Sequence, residues 1–315
     1  MYKRQVHSHA QHPKDYFRSP LDIPLFLSGN FGEIRTNHFH SGLDIKTQGI
    51  EGKPVYSPAD GYVSRIKIQA GGYGKAIYIT HTMGYTTVYG HLSALNDTLS
   101  SYLKAQQYAK ESFDIELFPD SNLFRLKKGD LVAYTGNTGS SGGPHLHFEI
   151  RDTKTESALN PLFFGFEVKD KTPPAITSLA VYGFDENARY GERNRKTYSV
   201  TKSEGKYVVN GGKPLITGGI TAFGLEVYDQ LDGADNHNGA YSIELLKDSS
   251  RIYFHEIDEM PFHLSRFINC HIDFEEKMLN KNVYQKSFIE PNNQLKIYET
   301  KISAVSYTHL PSPRD

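Results

Sequence analysis

Five residues in the first half of the chain carry donor atoms suited to a single metal ion: His40, Asp44, His91, His145 and His147. They lie in three short strings, His40-Ser-Gly-Leu-Asp44, Tyr89-Gly90-His91-Leu92 and Gly143-Pro144-His145-Leu146-His147. A borderline-soft ion such as zinc takes imidazole and carboxylate donors. Three protein ligands with a fourth position left for water make a hydrolytic site rather than a structural one. The chain has one cysteine, Cys270, so a thiolate cluster and an internal disulfide are both excluded.

These strings have to be brought together by strands. In His145-Leu146-His147-Phe148-Glu149-Ile150 the side chains alternate, so His145, His147 and Glu149 share one face and the apolar three share the other. The apolar face belongs in a core, which leaves two imidazoles side by side on an open face. The same count over Tyr85 to Leu92 puts His91 on the face of Tyr85, Thr87 and Tyr89. Gly42 permits a tight turn that brings His40 and Asp44 to one ion. Strands are expected at 62–68, 75–81 and 85–92, with a hairpin around Met83-Gly84, and at 131–134 and 145–151. The glycine-rich run 135–144 reads as a loop with room for a ligand. Leu99, Tyr102, Leu103 and Gln106 mark a short inserted helix.

At 315 residues there is room for two domains. The formal net charge is −1, so no bulk attraction to nucleic acid or anionic lipid is expected. Tyr (21) and Phe (18) are plentiful and Trp is absent, a composition that leans toward strands. No stretch approaches the length of a membrane-spanning helix. The division expected is an N-terminal segment (1–15), a β domain (16–168), a polar proline-bearing linker (169–175), a β-rich domain read as a small Ig-like sandwich (176–303) and a tail (304–315). Met1–Gln5 and Val305–Asp315 resemble translated adapter strings and are set aside from the fold argument, so a signal peptide is expected to be missing from this fragment.

The segment from about Gly29 to Phe164 resembles the M23 metallopeptidases, the lysostaphin and LytM-like peptidoglycan endopeptidases. The resemblance is carried by His40-Ser-Gly-Leu-Asp44, Gly52-Lys-Pro-Val-Tyr-Ser-Pro-Ala-Asp-Gly-Tyr-Val63, Gly72-Tyr-Gly74, Tyr89-Gly-His-Leu92, Lys128-Gly-Asp-Leu-Val-Ala-Tyr-Thr-Gly-Asn-Thr-Gly139, Gly142-Gly-Pro-His-Leu-His-Phe-Glu-Ile-Arg151 and Asn160-Pro-Leu162. It departs in two places: Gly90 stands where Ala is common, and 96–126 is longer than in compact members. The second departure bears on the cleft wall, not the metal.

The resemblance implies an antiparallel β core with one bound Zn2+ held by His40, Asp44 and His147, and His145 and His91 flanking the water as catalytic residues. It implies a zinc metalloendopeptidase acting on peptide stems or crosslinks of bacterial peptidoglycan, hence an exported, periplasmic or envelope location. The second domain would then be an accessory module, for wall or for an envelope protein partner. A relative that has lost catalysis and regulates other wall hydrolases is the alternative, and the complete ligand set argues against it.

Other residues have plainer readings. His38 is expected at the surface or behind the ligands, His81 packed, and Arg35 in a surface ion pair. Glu149 either orients a ligand imidazole or is a rim charge. The acidic run Asp229, Asp232, Asp235, Asn236, Asn238 lacks the spacing of an EF-hand and reads as a turn. His255, His263 and His271 recur every eight residues on what read as separate strands, a recurrence attributed to chance.

Overall fold

A computed structural model describes residues 12–184, 194–215, 220–299 and 308–309. Residues 1–11 of the expected N-terminal segment, and the expected tail apart from 308–309, lie outside the described residues. The chain is mainly antiparallel β and divides into two compact units. One is Met1–Ser28 with Ser41–Lys169; the other is Gly29–His40 with Asp170–Asp315.

The first unit is built from β1 (Leu27–Gly29), β2 (Leu43–Lys46), β3 (Pro54–Tyr56), β4 (Gly61–Ile68), β5 (Lys75–His81), β6 (Tyr85–Gly90), β7 (Ala94–Leu95), β8 (Ile115–Leu117), β9 (Arg125–Leu126), β10 (Leu131–Tyr134), β11 (His145–Asp152) and β12 (Ala158–Leu159). Its main sheet runs β1-β2-β11-β6-β5-β4-β8, with β3-β10-β7 as a second small sheet. The register is set by burial. Leu146, Phe148 and Ile150 of β11, Leu43 and Ile45 of β2 and Val88 of β6 are all fully buried, and a slip of one residue would expose the set.

Two hairpins of this sheet follow from local sequence. β5 and β6 pair from Ile77↔Tyr89 to Thr80↔Thr86 around the expected Met83-Gly84 turn. β4 carries an irregularity between Val63 and Arg65 where it pairs β5, a bulge of the kind that bends a strand. Between β7 and β8 sits the one long helix among the described residues, α1 (Asp97–Lys110). Asn96 caps it, its side chain accepting from the Leu99 backbone N–H at 2.9 Å, and Leu99 and Leu103 are its buried residues.

In the second unit β13 (Ala175–Phe184), β14 (Asn194–Ser203), β15 (Lys206–Val209) and β16 (Ile220–Tyr228) form an antiparallel sheet in the order β15-β14-β13-β16, extended by Gln285–Lys286. β17 (Ser242–Lys247) and β18 (Ser250–Glu256) make a separate hairpin. Short helical turns cover Phe262–Phe267, Ile268–His271 and Phe274–Asn280. This corrects the expectation that His263 and His271 lie on strands. The rings of His255 and His271 meet edge-on at 4.6 Å, with both residues fully buried.

Candidate metal centre

β11 is the platform of the site. His147 stands opposite Asp44 of β2 on one side and Gly90 of β6 on the other. A directly opposed antiparallel pair holds its side chains adjacent, and His147 Nδ1 lies 2.9 Å from Asp44 Oδ1. Gly90 offers no side chain, and even a methyl group there would come within 3.3 Å of the His147 Cβ.

His40 and Asp44 are joined through Ser-Gly-Leu. A Cβ on Gly42 would fall 2.3 Å from the Phe148 carbonyl oxygen, so the close approach of this turn to β11 requires glycine. His40 Nδ1 lies 2.8 Å from the Asn30 carbonyl oxygen, to which it donates, so Nε2 is the acceptor nitrogen of that ring. One ligand atom each from His40, Asp44 and His147 lies within 4.8 Å of the others, and all three residues are buried. Among the described residues this is the group of His, Cys, Asp and Glu with that geometry.

The other two predicted residues join it. The His91 and His145 rings have centroids 4.7 Å apart, and His91 is 5.9 Å from His147. His91 has φ +60°, a left-handed conformation uncommon outside glycine, held by its backbone N–H donating to the Tyr73 carbonyl at 2.8 Å. Its Nδ1 donates to the Thr138 carbonyl oxygen (2.8 Å) and its Nε2 is therefore the acceptor. Burial pushes His91 down to about 4, so the ring is neutral near pH 7. His145 Nδ1 meets the Gly143 carbonyl at 2.8 Å, and its Nε2 lies 3.4 Å from Asp44 Oδ1.

The glycine-rich loop that carries these contacts is itself pinned. Gly139, at φ +74°, packs so closely that a Cβ would sit 2.3 Å from the Gly74 nitrogen. That approach fixes Thr138, whose Oγ1 accepts from the Lys75 backbone N–H at 3.0 Å.

The face that alternation leaves opposite the core is open only at its His145 end. His147 is 3% exposed and Glu149 is 0% exposed, which removes the rim-charge reading of Glu149. For His147 burial works to lower the pKa, but hydrogen bonds to Asp44 and Glu149 outweigh it and push the ring up to about 9. A neutral His147 turns a lone pair toward Asp44 across 2.9 Å, so the pocket calls for a positive charge between them, a proton or a metal ion. Two imidazoles and a carboxylate around that point fit zinc.

Of the remaining residues, His38 is exposed, with Nδ1 on the Thr36 carbonyl. His81 is packed, with its two ring nitrogens on the Asp60 carbonyl and Thr87 Oγ1. Arg35 pairs with Glu33 at 3.1 Å. The sequence alone assigned no site role to Tyr73 or to Arg151, which the β11 alternation places on the face of His147 and Glu149.

Residues 38–110 match the model of peptidase family M23. An uncharacterized metalloprotease of Haemophilus influenzae is 35% identical over 155 residues, 47% of this chain and 27% of the relative. The DD-carboxypeptidase/endopeptidase Mpg of Neisseria meningitidis serogroup B is 31% identical over 118 residues, 38% of this chain and 21% of the relative. The chain thus spans about a quarter of the length of the curated relatives it matches. A solved structure of a zinc containing peptidase from Vibrio cholerae is 27% identical, with a TM-score of 0.32 over 44% of this chain and 37% of that one. The family-model match begins at His38 and takes in His40, Asp44 and His91, so the segment 38–110 resembles a domain of peptidase family M23.

Proposed function

We propose that this chain is a zinc metalloendopeptidase that hydrolyses peptide bonds in the stems or crosslinks of peptidoglycan, with His40, Asp44 and His147 as zinc ligands and His91 and His145 as the catalytic pair. The observation that carries the reading is the convergence of five donors from three separate strings, with three ligand atoms within 4.8 Å and the His91 and His145 imidazoles beside them, their centroids 4.7 Å apart. The substrate class is supported by the relative named a DD-carboxypeptidase/endopeptidase.

Bound zinc supplies Lewis acidity, polarising the scissile carbonyl and bringing the pKa of a water toward about 7. The protein's own groups handle the protons. His91 and His145 each donate Nδ1–H to a backbone carbonyl, which leaves Nε2 of each as the working nitrogen. One accepts the proton of the attacking water as the carbon–oxygen bond forms. The other holds a proton for the leaving amine as the carbon–nitrogen bond breaks, and each imidazole is restored when the products leave. Asp44 Oδ1 lies 3.4 Å from His145 Nε2, which keeps that nitrogen beside the metal position.

Peptidoglycan lies outside the cytoplasm, so the reading places the protein in the cell envelope after export. Among the described residues no helix is long and apolar enough to cross a membrane. Residues 16–168 are assigned as the peptidase domain and 176–303 as an accessory β domain for wall or an envelope partner.

Digestion of defined peptidoglycan, with fragments read by mass spectrometry, tests the proposal. Wild type is expected to release peptide fragments and His145→Ala to release none. Zinc uptake without hydrolysis of any peptidoglycan would instead identify a silent regulator.

A further inference from the structure

We propose that Glu149 is the positioning residue of the metal centre. Together with Arg151, Tyr73 and Ser41 it holds the His147 ring so that Nδ1, and not Nε2, is the ligand atom. The inference rests on the zinc reading above.

Glu149 is buried completely, yet both its carboxylate oxygens are hydrogen-bonded. Oε1 lies 2.8 Å from His147 Nε2, accepts from Ser41 Oγ at 2.7 Å and accepts from the Tyr73 hydroxyl. Oε2 accepts from Arg151 Nε at 2.6 Å. An ionised carboxylate in such a place is tolerated only when paired and hydrogen-bonded. Arg151 supplies the pairing charge, its Nε 2.6 Å from Oε2 with both side chains buried.

An ionised carboxylate only accepts, so His147 Nε2 has to carry a proton when it faces Glu149. The remaining nitrogen, Nδ1, then presents its lone pair toward Asp44, 2.9 Å away. Rotating the ring by half a turn would set carbon atoms against both carboxylates. The Tyr73 ring resists that rotation, stacking on His147 at 4.9 Å and 23°. The Tyr73 hydroxyl faces a carboxylate oxygen, which only accepts, and so donates to it. β11 repeats every second residue, so His147, Glu149 and Arg151 form one line of alternating charge along a single strand. The Arg151 guanidinium ends that line over the Tyr78 ring at 5.4 Å.

Zinc affinity by chelator competition, and the protonated nitrogen of His147 by 15N-resolved NMR of the zinc-loaded full chain, test this. The expected wild-type state has zinc on Nδ1 and a protected Nε2–H. Glu149→Gln is expected to weaken zinc 10–100-fold, the usual effect of losing an outer partner of a ligand histidine. Its Nε2–H resonance should also shift or broaden, because an amide does not enforce one tautomer. Should Glu149→Gln fold poorly through the stranded Arg151, the Glu149→Gln/Arg151→Met double variant removes that charge and is expected to show the same loss. Tyr73→Phe is expected to lose less. Unchanged zinc affinity in a folded Glu149→Gln or double variant, or zinc on Nε2 in wild type, overturns the inference alone. A wild type that takes up no zinc overturns the proposed function as well.

Discussion

His147 Nδ1 and Asp44 Oδ1 face each other at 2.9 Å from opposed positions of β11 and β2. The sheet register therefore builds half of the candidate metal site before any loop is placed. Across that distance the imidazole nitrogen and the carboxylate oxygen are complementary to one shared positive charge, a proton or a metal ion.

Removing the carboxylate should expose this dependence. Asp44→Ala is expected to lower zinc affinity by more than about 100-fold, beyond the 10–100-fold typical of an outer partner. Competition against a chromophoric chelator measures it.

The catalytic pair should separate from the ligands. His91→Ala and His145→Ala are expected to keep zinc at near wild-type affinity while peptide hydrolysis falls by roughly 10²–10⁴, the range for a proton-transfer group. Parallel zinc titration and turnover assays distinguish this from loss of the metal.

Gly42 should tolerate no side chain. A Cβ would meet the Phe148 carbonyl oxygen at 2.3 Å and Glu149 Cγ at 2.8 Å. Gly42→Ala is expected to destabilise the fold by about 1–3 kcal/mol, the range for overpacking, and to weaken zinc with it. Thermal melts with and without zinc read both effects.

Acid should weaken both units through neutral buried histidines. Burial pushes His81 and His271 down to about 4, and burial with the neighbouring His271 takes His255 well below its ordinary value. An unfolded His titrates near 6.5, so between about pH 6.5 and 4 the unfolded chain binds more protons than the folded one. Stability is therefore expected to fall as pH drops through that window, by at most roughly 3 kcal/mol for one such residue. Urea unfolding from pH 7 to 4 measures the slope, and His271→Gln should flatten it. A slope that His271→Gln leaves unchanged would contradict the assignment.

Much of the site was legible because strand alternation is a strict rule. Counting by twos along β11 put His145, His147 and Glu149 together, and the same count extended two residues reaches Arg151. Tyr73 was not legible, since a glycine-flanked Tyr gives no sign of what its ring will stack on. The grouping of Gly29–His40 with the second unit was hidden for a similar reason. It depends on contacts remote in sequence: Asn30 exchanges two hydrogen bonds with Gly239, at 2.8 and 2.9 Å, and the Phe39 backbone N–H donates to Ser265 Oγ at 3.0 Å. β14 was overlooked because Asn194–Ser203 is mostly polar, with little hydrophobic periodicity to read. The meeting of His255 with His271 depends on a helical turn at 268–271 that their spacing as strands did not reveal.

The most direct measurement is zinc stoichiometry by competitive titration of the full chain beside its Asp44→Ala and His147→Ala variants. One zinc per wild-type chain, lost in both variants, is the predicted result. A wild type that takes up no zinc, or variants that keep it, would contradict the metal centre described above.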